Sequence, residues 1–362
     1  MGSIQVENLT KRFGALTAVD AVDMSIEEGE VLCLLGPSGC GKTTTLRMIA
    51  GLEQETEGNI FIGGQQVNHL SPADRDIAMV FQFYALYPTL TVGQNIGFPL
   101  RSEGLSKEAI AIRVDEVARA LQLGEVLNRT PGQLGEGEKQ RVAVARAVVR
   151  DPNCFLFDEP LSRLDVTLRQ TMRGEIKEIL NGLSKATVIV THDQLEALTM
   201  ADRIAVMRSG AIEQIATPHE IFTKPANLFV AGFIGTPAMN LIPGTLTSLG
   251  DGQGKFDLCG QQVTFNAKPE ISRLSQDSSV TVGIRPRAFN LVSEPTDGSL
   301  AVIVDLIEPM GAETLIHAMA GDMEIRIVLE REQQVSVGEN LNVVSRADQV
   351  LIFDNEERLV TS

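Results

Sequence analysis

"GPSGCGKTT", Gly36 to Thr44, is the stretch whose reading decides the fold of this chain. Its spacing is G-x4-G-K-[ST]. The apolar run "EVLCLLG" (Glu30 to Gly36) closes on its first glycine, and the helix-like "TTTLRMIAGL" follows it. Strand, glycine loop and helix form the context in which this spacing builds a phosphate-binding loop. Glycines let successive backbone N–H groups turn toward an anion, and the helix N-terminus adds positive potential. Gly36, Ser38, Gly39, Cys40, Gly41 and Thr44 are therefore expected to cradle the phosphates of ATP. Lys42 is expected to reach the β- and γ-phosphates, and Thr43 to place its hydroxyl on Mg2+.

Working outward, "NCFLFDEP" buries Cys154, Phe155, Leu156 and Phe157 and presents Asp158 and Glu159 at a strand end. Asp158 is placed to hold Mg2+ and Glu159 to polarise an attacking water. "TVIVTHD" puts His192 at the end of another apolar strand, and parallel sheets bind ligands beyond such ends. His192 is expected at the γ-phosphate. Gln82 closes a comparable run in "MVFQF" and is a candidate contact to Mg2+ or to the attacking water.

The chain has 362 residues, enough for two or three domains. Its net charge of −16 argues against an extended nucleic-acid footprint, because phosphate backbones attract basic surface. The four cysteines, Cys33, Cys40, Cys154 and Cys259, form no CxxC pair, and no signal-peptide pattern opens the sequence; they read as reduced thiols. No apolar run approaches the ~18 residues of a membrane span, so membrane association is expected through a partner.

Strand-like and helix-like segments alternate over roughly the first 235 residues, which predicts an α/β core with a parallel sheet. A mainly helical insert is expected from about Thr89 to Val149. Within it Ile110, Val114, Val117 and Leu121 recur at helical steps behind the N-cap Ser106. After about Asn240 short alternating runs appear ("SVTVGI", "AVIVDLI", "EIRIVLE", "NLNVVS", "QVLIFD"), separated by turn residues, which reads as small all-β barrels. The expected domains are 1–238 and 239–362, joined near "FIGTPAMNLIPG".

In this order and at these separations, the phosphate loop, "VFQ", a glycine motif before a helix, "FDEP", "LSRLD" and "VTHD" resemble the ATPase subunits of ABC transporters. The β-rich tail, with "VGIRPRAF" and "LIEPMGAETLIHA", is similar to that of the importer subfamily containing the maltose and glycerol-phosphate importer ATPases. The resemblance implies a P-loop NTPase core with a helical subdomain, followed by an OB-like regulatory domain. It assigns Phe13 in "TKRFG" to adenine stacking, Gln82 to the Q-loop, Asp165 to the D-loop and His192 to the switch histidine. It further implies permease subunits in the membrane, a second ATPase subunit of the same or a different chain, and an extracytoplasmic solute-binding protein acting indirectly. The chain itself is expected on the cytoplasmic face of the cell membrane. Tyr87 in "ALYP" matches sugar, polyol and glycerol-phosphate importers more than polyamine, sulfate or iron importers. Phe81, Phe83, Tyr84, Leu86 and Tyr87 are too apolar for a solvated loop, and part of the set is expected to line a groove for a permease helix.

One motif departs. Where the family reads L-S-G-G-Q, this chain has Leu134, Gly135, Glu136, Gly137 and Glu138, with a helix expected from about Lys139. Gly135 and Gly137 keep backbone N–H groups for the ATP of an opposite subunit, but the serine hydroxyl is gone. A carboxylate ~6 Å from a phosphate charge costs on the order of 3 kcal/mol at an effective dielectric near 20. Two expectations stay open: a partner ATPase with an ordinary signature, giving one impaired site, or a homodimer turning over more slowly.

Overall fold

The computed structural model describes residues 3–182, 184–250, 253–266, 271, 273–331, 333–346 and 349–360. The chain divides into two units, Met1–Pro218 and His219–Ser362.

The first unit is built on a six-stranded sheet. Its strands are β3 (Val31–Leu35), β6 (Ile77–Val80), β7 (Cys154–Asp158), β8 (Ala186–Thr191), β9 (Arg203–Arg208) and β10 (Ala211–Ala216). The order across the sheet is β10-β9-β3-β8-β7-β6, with β10 antiparallel and the other five parallel. Every residue of β3, β7 and β8 is buried. That explains the continuous apolar runs, because a parallel strand covered on both faces has no solvent side to alternate with. A four-stranded antiparallel sheet accompanies it, ordered β2 (Leu16–Ile26), β1 (Ile4–Phe13), β4 (Glu57–Ile62), β5 (Gln65–Gln66).

Helix α1 (Lys42–Ile49) follows the glycine loop. The expected helical insert consists of α2 (Val92–Ser102), α3 (Lys107–Ala120) and α4 (Glu136–Val148). Ser106 caps α3 through the Ala109 N–H at 3.2 Å, and Val114 and Leu121 are buried on its inner face. Helix α4 starts at Glu136, three residues ahead of the expected Lys139. The reason is local: the Glu138 carboxylate turns back and accepts the Gly135 N–H at 2.8 Å, satisfying a donor that an uncapped helix start leaves free. Helices α5 (Val166–Asn181) and α6 (Gln194–Met200) complete the layer nearest the site.

The second unit is antiparallel. One sheet is ordered β13 (Gln261–Asn266), β12 (Gln253–Leu258), β11 (Asn240–Gly250), β14 (Ser279–Ile284), β20 (Val350–Phe353). The other is ordered β15 (Phe289–Val292), β19 (Asn340–Ser345), β16 (Ser299–Pro309), β17 (Glu313–Ala320), β18 (Met323–Glu330). Their inward residues, among them Ile242, Phe256, Val282, Val302, Ile316 and Ile327, form one core. Each alternating run read from the sequence is a strand here. Among the described residues no helix is long and apolar enough to cross a membrane.

Candidate functional site

Strand order brings the candidates together. β6, β7, β8 and β3 are neighbours running in one direction, so their C-terminal ends open on one edge. The residues leaving those ends are Gln82, Asp158 with Glu159, His192, and the Gly36–Lys42 loop. Gly36 and His192 are 156 residues apart in the chain, and only the order β6-β7-β8-β3 makes these positions adjacent.

The loop is shaped by two close approaches. Gly41, the N-cap of α1, has φ +104, and a Cβ there would stand 2.5 Å from the Ala18 carbonyl oxygen. Gly36 packs on the Met207 carbonyl, where a Cβ would collide with it. Lys42 is buried, and its ammonium donates to the carbonyls of Gly36 (2.8 Å) and Pro37 (2.9 Å), with Cys40 Sγ at 3.6 Å. Among the described residues this buried ammonium hydrogen-bonds only neutral acceptors and makes no ion pair. Beside it lies a cavity of about 260 Å³ lined by Ala18, Ser38, Gly39, Cys40, Gly41, Thr43, Thr44 and Glu159. Glycine cradle, unpaired cation and helix start fit a polyphosphate.

Thr43 Oγ1 donates to Asp158 Oδ1 at 3.3 Å. Burial raises the Asp158 carboxyl above the usual carboxylate range, against the lowering effect of the Thr43 hydrogen bond and of Arg47. A hydroxyl and a carboxylate oxygen side by side are the hard oxygen donors that suit Mg2+.

Glu159 is held on every side. Its φ of +48 turns the chain sharply at the end of β7, a conformation a non-glycine residue keeps only when its surroundings enforce it. The enforcing contact is its N–H donating to Val190 O at 2.9 Å. Gln82 Nε2 donates to Glu159 Oε2 at 2.8 Å, and His192 Nδ1 stands 3.1 Å from Oε1. A carboxylate in its ionised form can only accept, so with that form the contact takes the His192 tautomer whose proton is on Nδ1. Ser162, which the sequence reading passed over, donates to the Glu159 carbonyl at 3.1 Å and lies 3.5 Å from Gln82 Nε2.

The other candidates lie further out. Phe13 is exposed, with the Lys11 ammonium 4.7 Å from its ring centre, so it is no core residue. Asp165 caps α5 by accepting the Leu168 N–H at 3.0 Å. Gly135 and Gly137 stand at the start of α4, where a Cβ on Gly137 would press on the Leu168 side chain at 2.9 Å. Glu136 is engaged within its own chain: it accepts from Tyr84 Oη at 2.9 Å and pairs with Lys139 at 2.7 Å. Together these bonds hold its carboxyl below the usual range.

Of the five apolar residues around Gln82, Tyr84 is buried and Leu86 half-buried, while Phe81, Phe83 and Tyr87 are exposed. Phe81, Tyr87, Phe98, Pro99 and Arg146 line a cavity of about 440 Å³, with the Tyr87 and Phe98 ring centres 4.4 Å apart. Asn95, fully buried, fixes this wall by accepting the Tyr87 N–H at 2.8 Å and donating to the carbonyls of Tyr87, Leu90 and Thr91. Arg75 is another residue the sequence did not disclose. Buried, it donates to Met48 O at 2.7 Å and Ile49 O at 2.8 Å, capping the C-terminal carbonyls of the helix that begins at Lys42.

In the second unit His317 Nδ1 is 2.7 Å from Glu324, with Glu308 at 3.6 Å from Nε2, and Glu313 forms a two-pronged pair with Arg287.

Similarity to known proteins extends over both units of the chain. Residues 19–162 match the family model described as ABC transporter, 235–289 the MalK OB fold domain and 282–353 the TOBE domain. The sulfoquinovosyl glycerol transport ATP-binding protein of Agrobacterium fabrum is 44% identical over 355 residues, covering 98% of each chain. The sn-glycerol-3-phosphate import ATP-binding protein of Vibrio vulnificus is 43% identical over 366 residues, covering 99% of this chain and 95% of that one. Among solved structures, a dimeric ATP-binding cassette in a post-hydrolysis state, bound to ADP and Pi, superposes with a TM-score of 0.54 at 32% identity, over 59% of this chain and 98% of its own.

Proposed function

Because the chain belongs to the ABC transporter ATPase family, in the importer type that carries OB and TOBE domains, we propose that it hydrolyses ATP to drive uptake of a carbohydrate, polyol or glycerol-type solute. Its partners in this reading are permease subunits in the membrane and a second ATPase subunit, with a solute-binding protein acting from outside. It works from the cytoplasmic face of the membrane. The solute class is supported by the names of the relatives, which transport sulfoquinovosyl glycerol and sn-glycerol-3-phosphate. Residues 1–238 serve as the ATPase domain, with a helical subdomain over about 89–149, and 239–362 as the regulatory domain.

The observation that carries the proposal is Glu159, which lines the mouth of a cavity holding the Lys42 ammonium and has Gln82 and His192 on its two oxygens. Lys42, Gly36, Ser38, Gly39, Cys40, Gly41 and Thr44 bind the phosphates. Phe13 offers an exposed ring face for adenine. Glu159 takes a proton from the attacking water, and His192 supports the γ-phosphate. Thr43 and Asp158, with Gln82, would hold Mg2+, which when bound supplies positive charge against the charge developing on the transferred phosphoryl group. Chemistry proceeds without a covalent intermediate on the protein.

Two subunits closing on each other complete the site: Gly135, Gly137 and Asp165 of one face the ATP of the other. The cavity at Phe81, Tyr87 and Phe98 receives an apolar helix of the permease. Gln82 adjoins both, so motion at the nucleotide reaches the membrane. The test is Glu159→Gln in the intact transporter. ATP binding should persist while hydrolysis falls by about 10²-fold or more, the range that loss of a general base produces. Vigorous hydrolysis by that variant would sink the assignment.

A further inference from the structure

The odd carboxylate of the glycine motif has a partner in the segment that follows Gln82. Glu136, the first residue of α4, accepts the Tyr84 hydroxyl at 2.9 Å. Ten residues along the same helix, Arg146 donates to the carbonyls of Tyr84 (2.9 Å) and Ala85 (2.6 Å). Tyr84 and Ala85 both have left-handed backbones, at φ +59 and +50. Two consecutive non-glycine residues keep that conformation only when something outside them holds it. Helix α4 is that something, gripping the segment by its hydroxyl and by its backbone.

The gripped segment starts two residues after Gln82, whose amide sits on Glu159 Oε2 while His192 sits on Oε1. Both oxygens of the carboxylate that has to meet water are thus engaged. Each of these contacts occupies one acceptor position of that carboxylate. A water reaching Oε2 has to share that oxygen with the Gln82 amide for as long as the Gln82 segment stays in place.

We propose that Glu136 is a positioning residue. With Tyr84 it latches the start of α4 to the segment after Gln82, keeps the Gln82 amide on Glu159, and holds back hydrolysis in its own subunit until the latch opens. This rests on Glu159 being the group that polarises water. The opening signal is an anion at the start of α4. There the triphosphate of the opposite subunit brings like charge toward Glu136 and competes for the helix N-terminus. In that light Glu136 is a sensor: the arrival of ATP at one site frees the catalytic carboxylate of the chain that faces it.

Tyr84→Phe separates this from a simple repulsion between Glu136 and phosphate, because it removes one hydroxyl and leaves the α4 N-terminus unaltered. In the intact transporter, with MgATP and no solute, Tyr84→Phe should raise kcat about three- to fivefold, the effect of losing one hydrogen bond, with KM for ATP within about twofold. Glu136→Ala should do the same, and Glu136→Gln, whose amide oxygen still accepts from Tyr84, should rise less. The double variant Tyr84→Phe with Glu136→Ala should not exceed Glu136→Ala alone, because both remove one contact. An unchanged or lowered kcat for Tyr84→Phe overturns the latch, as does a multiplied effect in the double variant. Glu159→Gln in the parent background keeps the two readings apart. If it still turns over, the role of Glu159 fails. If it stops while Tyr84→Phe changes nothing, the latch alone fails.

Discussion

Gly41→Ala is the substitution whose cost can be built most directly from the loop. The φ of +104 lies beyond the left-handed well near +57° that an L residue can enter, so an alanine there costs about 1–2 kcal/mol in the backbone alone. Its Cβ would also stand 2.5 Å from Ala18 O and 3.3 Å from Val19 Cγ2, and the first of these is below the 3.0 Å that real Cβ atoms keep. Relieving such overpacking adds roughly 1–3 kcal/mol. The free protein escapes by relaxing the loop; binding ATP has to restore it. About 3 kcal/mol then appears as roughly a hundredfold rise in Kd, at 1.4 kcal/mol per tenfold. Two further glycines separate the contributions. Gly39 has φ +81 with nothing within 4 Å of its Cβ position, so Gly39→Ala pays only the backbone cost, roughly five- to thirtyfold in Kd. Gly29 has φ +79 and equal space but sits at the opposite end of β3, so Gly29→Ala should lower stability and leave Kd unchanged. Titration calorimetry with MgATP on the three variants measures the series. A Gly41→Ala Kd within about threefold of the parent, or a larger effect at Gly39, would refute the reasoning.

Arg75→Ala removes two charged-donor hydrogen bonds from the end of α1 and should destabilise the first unit by about 3 kcal/mol, lowering by roughly 6–12 °C the calorimetric transition that MgATP raises. A shift under about 2 °C would show that the capping is dispensable. Asp158 has its carboxyl raised by burial, so its contribution to stability is present at low pH and is lost as pH rises through the raised folded value. Asp158→Asn should therefore raise the melting temperature of the nucleotide-free chain at neutral pH, lose that advantage in acid, and weaken the Mg2+ dependence of ATP binding; a lowered melting temperature at pH 7 contradicts this. Gly135→Ser combined with Glu136→Gly should raise ATPase activity of the intact transporter, and an unchanged rate would remove Glu136 as a restraint. Counting the distinct ATPase chains in the purified transporter settles whether the companion subunit is a second copy.

The phosphate loop, the three buried strands and the carboxylate pair were legible because each is a local pattern. A fully buried parallel strand has to read as a short apolar run, and the loop after it needs glycines where backbone approaches backbone. Five strands of the β region after Asn240 were equally readable from alternation. Arg75 was not, because its acceptors at Met48 and Ile49 lie 27 and 26 residues away and its own surroundings carry no period. Ser162 looked like one more residue of "LSRLD". The Tyr84 partner of Glu136 was hidden for the same reason, because that hydroxyl donor lies 52 residues earlier.

By itself, then, the amino-acid order determined which chemical groups stand at strand ends and which loop can wrap an anion, since these depend on φ preferences and on burial within a few residues. Tertiary structure decided which of those groups meet. The order β6-β7-β8-β3 sets Gln82 and His192 on the two oxygens of Glu159, and the packing of α4 turns Glu136 toward Tyr84. Hydrogen bonds act over about 3 Å. No spacing along a chain can reveal which side chains will come that close until the sheet has fixed its neighbours.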